Sequence, residues 1–277
     1  MIEILKAILF GIVEGITEWL PVSSTGHIIL LDEFIRLQQS DTFKEMFDVV
    51  IQLGAILAVI ILFFHKLNPF ALSKSKEEKG KTWTLWFKVC VAILPSGILG
   101  ILFDDWMEAN LHKAVPVAIA LIVYGIAFLF LEKGNGGRFV KRIEDVHDIS
   151  WKTAILIGCF QVLSLIPGTS RSGSTILGAI LLGVGRGAGA EFSFFMAIPT
   201  MVGASGIKLL DFFTETGFGM TGSELSVLIV GMVVSFVVSL LVIRGLMDYV
   251  RRHSFAVFGV YRIILGIIVL AYFLVLT

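Results

Sequence analysis

Cysteine is nearly absent from this chain. Cys90 and Cys159 stand alone in apolar windows with no CxxC spacing, which excludes a disulfide framework or a thiolate metal site and predicts two buried free thiols. Charge is scarce as well, at 16% of residues, and it balances at 22 basic against 22 acidic side chains. The total therefore says nothing about partners, and the placement of charges matters more than their sum; a membrane and a lipid are the expected partners, and no nucleic acid. The alternating pattern of barrel strands is missing, so a barrel is excluded. No small-residue cleavage site follows the first apolar stretch. Lys6 lies within it and Glu14 and Glu18 come next, so the N-terminus reads as mature chain and not as a signal peptide.

What the chain has is apolar length. Hydrophobic residues make up 56% of it, with mean hydropathy +0.91, and apolar windows recur from end to end. A backbone in lipid must satisfy its own hydrogen bonds, so the expectation is an all-α polytopic membrane protein forming one integral domain. Six windows read as full spans: Phe47–Phe64, Trp86–Phe103, Ala114–Leu131, Glu191–Phe213, Ser223–Ile243 and Ser254–Leu276. Basic residues collect in Lys66–Lys81, in Lys133–Lys152 (with Arg138, Lys141 and Arg142) and in Arg244–His253, which places these loops in the cytoplasm. Asp104–Lys113 and Thr214–Gly222, with Asp104, Asp105, Glu108 and Glu215, then fall outside.

For that topology to close, Met1–Met46 must start and finish outside, and Ser150–Gly189 must start and finish inside. Each would dip into the membrane and return, as a re-entrant helix pair. Residues 1–132 and 150–277 then become two halves of opposite orientation, an inverted repeat whose dipping segments meet near the midplane. Lys6, basic on the outer side, runs against the rule.

The two dipping segments carry the two polar runs of the chain, Pro21-Val22-Ser23-Ser24-Thr25-Gly26-His27 and Pro167-Gly168-Thr169-Ser170-Arg171-Ser172-Gly173-Ser174-Thr175. At one constant offset of 147, Gly11 matches Gly158, Glu14 matches Gln161, Ser23 matches Ser170 and Gly26 matches Gly173, while the prolines are out of step by one. A carboxylate at the centre of a lipid-facing helix costs about 2.5–3.5 kcal/mol, so Glu14 and Glu18 are expected to line a polar cavity.

Glu14 and Glu18, four apart, stack on one helix face. They suit a divalent metal site for Mg²⁺ or Ca²⁺, or proton shuttling, or a polar patch paired with a neighbouring helix. Ser23-Ser24-Thr25-Gly26 reads as a cap and a helix start, whose free N–H groups suit phosphate. His27 lies three residues beyond Ser24 and shares its face, so Ser24 could be a nucleophile with His27 as base, or His27 could itself attack phosphorus. Arg171, between Ser170 and Ser172 and flanked by Gly168 and Gly173, fits a phosphate clamp or a partner for Glu14 or Glu18.

Other candidates carry less. Gly183–Gly189 resembles a phosphate loop but lacks the strand and lysine, and reads as a turn with Arg186 at the headgroups. His65, His112, His147 and His253 fall in loops, and Ser73–Lys81 reads as a solvated connector. Asp48 and Gln52 could support the site or bond another helix. Gly178, Gly203 and Gly206 could pack helices within one chain or between two, which keeps a homodimer open.

Glu14-Gly15-Ile16-Thr17-Glu18-Trp19-Leu20-Pro21-Val22-Ser23-Ser24-Thr25-Gly26-His27 and Pro167-Gly168-Thr169-Ser170-Arg171-Ser172-Gly173, with Phe47–Ala58 and Glu191–Pro199, resemble the undecaprenyl-diphosphate phosphatase family, the bacitracin resistance proteins of the BacA type. The resemblance spans essentially the whole chain. It implies a bacterial plasma-membrane enzyme, its site open to the outer side, that hydrolyses undecaprenyl diphosphate to undecaprenyl phosphate and recycles the carrier lipid for peptidoglycan. Resistance to bacitracin, which sequesters the substrate, would follow. By motif position it implies Glu14 and Glu18 as the acidic pair, Ser24 or His27 as nucleophile and Arg171 as clamp. Ser23, Thr25, Ser170, Ser172 and Thr175 would be supporting hydroxyls, with Gly26 and Gly173 in the substrate-binding turns. The alternative from another class is a secondary transporter or flippase of a polyprenyl phosphate lipid, since paired broken helices also serve transport.

Overall fold

The structure, a computed structural model, describes residues 1–111, 113–134, 143–217 and 219–275. His112, Arg138, Lys141 and Arg142 lie outside the described residues, as do the side chains of Asp104, Asp105, Glu108 and Lys133. Among the described residues every regular element is helical, apart from one isolated backbone bridge between Ile143 and Val184. The helices are α1 (Ile2–Thr17), α2 (Ser24–Phe34), α3 (Asp41–Leu62), α4 (Phe64–Leu67), α5 (Lys76–Leu111), α6 (Ala114–Gly134), α7 (Trp151–Val162), α8 (Arg171–Leu181), α9 (Arg186–Thr216), α10 (Gly222–Arg252) and α11 (Ala256–Val275).

Six of them, α3, α5, α6, α9, α10 and α11, are long and apolar enough to cross a bilayer, and each overlaps one of the six windows read from hydropathy. This is a multi-pass membrane protein. Large apolar side chains such as Ile101, Leu102, Phe130, Leu241 and Ile268 stand exposed on its outer surface, as a lipid-facing belt requires. The same reasoning corrects the expected burial of the thiols: Cys90 and Cys159 are free but exposed, because an apolar window in a membrane protein can face lipid as well as core. The predicted outer loop from Asp104 is also corrected. α5 continues through it to Leu111, a polar extension of an apolar helix that hydropathy reads as a loop. Likewise α5 begins at Lys76, inside the predicted connector, and His65 sits in α4.

Besides the single-turn α4, four helices are too short to cross. At a rise of about 1.5 Å per residue, α1 extends roughly 24 Å and α2, α7 and α8 less than 20 Å, against about 30 Å of hydrocarbon. They pack as two pairs, α1 on α2 and α7 on α8. At the first pair, Glu3 accepts from the Gln38 N–H (2.8 Å) and Lys6 donates to the Arg36 carbonyl (2.6 Å). Lys6 is also paired with Glu3 at 2.8 Å, so its charge is locally cancelled. At the second pair, Ile143 exchanges backbone bonds with Gly183 and Gly185 (3.0 and 2.9 Å). Beyond the first pair, Thr42 in the first turn of α3 donates to Glu215 in the last turn of α9 (3.1 Å).

The 147-residue offset reappears as packing. Gly11 of α1 lies so close to the Gly231 carbonyl of α10 that an added Cβ would stand 2.6 Å from it, and the matched Gly158 of α7 is pressed more tightly still on the Ala92 carbonyl of α5. Only a residue without Cβ permits either approach. The two chain breaks match too. Ser23 and Ser170 both hold positive φ (74° and 72°), the two non-glycine positions among the described residues that do so. Each hydroxyl accepts the first-turn N–H of the following helix, from Gly26 (3.3 Å) and Gly173 (3.1 Å). Left-handed serines cost about 1–3 kcal/mol apiece and persist where the surroundings demand them.

Candidate active site

The two breaks meet in the interior. Glu18, at the end of α1, is 5% exposed and joins both motifs: its Oε2 accepts the Ser24 hydroxyl at 2.5 Å and its Oε1 accepts Arg171 Nη2 at 2.8 Å. The ion pair is nearly dry, with the Arg171 side chain 10% exposed. Arg171 is held from behind by the Ser193 carbonyl (2.6 Å) and lies over the Trp19 ring at 5.8 Å, while its Nε finds no protein partner. Ser24 opens α2 and Arg171 opens α8, so both project at helix N-termini, where unpaired N–H groups and the positive dipole end favour an anion.

The remaining predicted hydroxyls build the frame. Ser172 donates back to the Glu18 and Leu20 carbonyls (3.1 and 3.2 Å), stitching α8 to the first break. Thr175 bonds the Arg171 carbonyl (2.9 Å) and the Ser193 hydroxyl (2.6 Å), fixing the backbone from which Arg171 projects. Ser170 contacts Ser172 at 3.2 Å besides capping Gly173. Thr25 is half-buried in the first turn of α2. Gly26 and Gly173 face their capping serines at a distance that leaves no room for a larger residue to sit at ease.

His27 departs from expectation. Its spacing from Ser24 predicts a serine–histidine pair, but Ser24 is given to Glu18. The imidazole instead lies with Nδ1 on the Ser23 carbonyl (2.6 Å) and Nε2 on the Tyr261 hydroxyl (2.7 Å), stacked on that ring. A carbonyl only accepts, so Nδ1 carries the proton and Nε2 is the acceptor. Tyr261 comes from α11, where no sequence motif singles it out. Tyr261→Phe, which removes the hydroxyl and keeps the ring stack, is expected to lower turnover roughly tenfold, read as kcat of the purified variant; unchanged kcat would leave the contact without a role.

Glu14 is 1% exposed, and neither of its oxygens has a hydrogen-bond partner. The Glu18 and Asp48 carboxylates both act on it electrostatically. Its counterpart Gln161 is neutral, and its amide donates to Ser96 (2.6 Å) and Thr200 (3.3 Å). Only the first half of the chain therefore keeps a free acid at this position. Among the described residues no group of three or more histidine, cysteine or acidic side chains gathers at metal-binding spacing. The orphaned Glu14 carboxylate nevertheless has the oxygen chemistry a hard divalent cation takes.

The family model of the bacitracin resistance protein BacA matches residues 7–268. The chain belongs to the BacA family. Among its relatives, the undecaprenyl-diphosphatase of Enterococcus faecalis is 58% identical over 271 residues, covering 97% of this chain and 96% of its own. That of Limosilactobacillus fermentum is 56% identical over 276 residues, covering 100% and 99%. Undecaprenyl-diphosphatase 1 of Clostridioides difficile is 57% identical over 276 residues, covering 100% and 98%. As a member of the BacA family the chain places its two motifs, far apart in sequence, around one carboxylate. Of the other candidates, His65 (bonded to Ser73), His253 and the Gly183–Gly185 turn lie away from it, and His147 is half-buried in a 3₁₀ turn before α7.

Proposed function

We propose that this protein hydrolyses the terminal phosphoanhydride of undecaprenyl diphosphate, leaving undecaprenyl phosphate and inorganic phosphate, and so recycles the lipid carrier of peptidoglycan synthesis and confers bacitracin resistance. The observation that carries the reading is Glu18 bonded at once to the Ser24 hydroxyl and to Arg171. That is a nucleophile, its base and a phosphate-binding cation in one buried contact. A transporter or flippase needs no such nucleophile, and the names of the relatives agree with hydrolysis.

In the proposed mechanism the terminal phosphoryl lies at the N-termini of α2 and α8, with Arg171 turning its free N–H groups to the phosphoryl oxygens. Glu18 takes the proton as Ser24 Oγ attacks phosphorus in line, the new O–P bond forming as the anhydride P–O bond breaks. Undecaprenyl phosphate leaves with the electron pair. Water then attacks the phosphoserine, its proton passing through the Tyr261 hydroxyl to His27 Nε2, as the bond from phosphorus to Ser24 Oγ breaks and Oγ takes its proton back from Glu18, which frees inorganic phosphate. A divalent cation, Mg²⁺ or Ca²⁺, would be held by Glu14 with Glu18 alongside, and would neutralise phosphate charge. Ser23, Thr25, Gly26, Ser170, Ser172, Gly173 and Thr175 would shape the phosphate cradle.

In the same reading the pairs α1–α2 and α7–α8 are re-entrant, and residues 1–132 and 150–277 form an inverted repeat. Their shortness, their returning ends and the matched serines and glycines support this. With Lys66, Lys74, Lys152, Arg251 and Arg252 in the cytoplasm, the site opens to the outer side of a bacterial plasma membrane. Gly178 is used within the chain, against Phe160, whereas Gly203 and Gly206 open outward, where a homodimer would pack. Inorganic phosphate release from undecaprenyl diphosphate by the purified protein, supplied with Mg²⁺ or Ca²⁺, tests the activity. Gradient-driven movement of the intact lipid without release would favour the transporter.

A further inference from the structure

Arg262 lies about two turns into α11, in an apolar span, and is wholly buried. A charge at membrane depth is expensive and is retained for a purpose. Among the described residues no carboxylate pairs with it. All three guanidinium nitrogens donate to backbone carbonyls instead: Nη1 to Pro21 (3.0 Å), Nη2 to Gly168 (2.7 Å) and Thr169 (3.1 Å), Nε to Leu121 (3.5 Å). The Tyr124 ring lies beneath at 5.5 Å.

The identity of those carbonyls is informative. Pro21 and Gly168 are related by the same offset of 147 that relates Ser23 to Ser170. They are equivalent points of the two breaks, where the helices stop and the carbonyls lose their N–H partners. One guanidinium thus spans both breaks at the junction of the two motifs. Pro21 stands three residues from Glu18 and three from Ser24, and Gly168 stands three residues before Arg171. Gly168 has no freedom of its own: its φ is +94°, and an added Cβ would stand 2.5 Å from the Val117 carbonyl of α6. A further glycine, Gly173, is so near that a Cβ there would lie 3.3 Å from Arg262 Nη1.

We infer that Arg262 is a positioning residue for phosphoryl transfer: by tying the Pro21 and Gly168 carbonyls to one planar fork, it sets the separation at which Glu18 meets Ser24 and Arg171. It does not touch substrate, since it is buried and its nitrogens are turned to the backbone. Its uncompensated charge adds to the positive field at the N-termini of α2 and α8. A lysine could supply the charge but not the fork, because an ammonium is a point donor that cannot hold both breaks in one plane. This inference rests on the hydrolase reading.

The test compares the parent with Arg262→Lys and Arg262→Gln, purified and shown folded by elution profile and thermal midpoint, for phosphate release from undecaprenyl diphosphate. The expected result is a loss of about 100-fold in kcat for Arg262→Lys with KM little changed, the signature of misplaced reacting groups. Arg262→Gln, neutral but able to bond two carbonyls, should fare no worse than lysine. Near-parent kcat in Arg262→Lys overturns the inference, as does lysine restoring what glutamine loses, which would make charge alone the role. A rise in KM at constant kcat would make Arg262 a substrate ligand, and failure of both variants to fold would make it a folding residue; either overturns it. A parent that releases no phosphate defeats the hydrolase reading and the inference with it, whereas a turning-over parent beside an undiminished Arg262→Lys defeats the inference alone.

Discussion

Arg171→Ala is expected to reduce phosphate release by roughly 10³-fold or more. Phosphoryl transfer offers a protein little covalent chemistry, so neutralising and orienting the phosphoryl group dominates, and Arg171 is the cation at the meeting point of the motifs. Its loss acts twice. The phosphoryl loses its clamp, and Glu18 loses the partner at 2.8 Å that orients its carboxylate toward Ser24. Removing one member of a buried pair also destabilises a protein by about 3–5 kcal/mol, so the thermal midpoint must be followed beside kcat. Arg171→Lys separates the effects: it keeps a charge near Glu18 but not the planar fork, and should recover folding more fully than turnover. An alanine variant that is folded and near parent activity would remove Arg171 from the site.

Glu18→Gln carries the second large effect, about 10³-fold in kcat. The two carboxylate oxygens have different duties, one accepting from Ser24 and the other from Arg171. A carboxamide has one oxygen. Facing Arg171 with that oxygen, it presents N–H₂ to Ser24 and cannot take the serine proton; turned the other way, it sets N–H₂ against a guanidinium. Neither orientation preserves both bonds, so glutamine is a nearly isosteric knockout of the base. Pre-steady-state formation of undecaprenyl phosphate, the product of the attacking step, should fall with the steady-state rate, because that step itself is impaired. A burst of normal size in Glu18→Gln would assign proton removal to another group.

Much of the fold and of the site is legible in the sequence. Six spans follow from hydropathy because lipid-facing helices must be apolar along their length, whatever they pack against. Two chemical centres stand out because polar residues in apolar sequence are too expensive to be incidental, and their repetition at one offset ties them together. What sequence does not carry is pairing. Helical spacing puts His27 beside Ser24, yet the turn at Ser23 swings Ser24 toward Glu18 and leaves His27 against Tyr261, 234 residues away. Partners so distant share no spacing. Arg262 is the instructive omission, since a lone arginine inside Ser254–Leu276 is by itself a signal of function, obscured by the stronger motif around Arg171. Helix ends are also lost where an apolar helix runs on into polar sequence, as α5 does beyond Phe103. The exposure of Cys90 and Cys159 is not encoded in windows that are apolar on every face.

The most direct test of the account is the rate of inorganic phosphate release from undecaprenyl diphosphate by purified Ser24→Ala beside the parent. The account predicts steady release by the parent and a loss of about 10³-fold or more in the variant with folding intact, since the removed oxygen is the one that attacks phosphorus. Near-parent release by Ser24→Ala would contradict it, and would mean that water or His27 attacks instead.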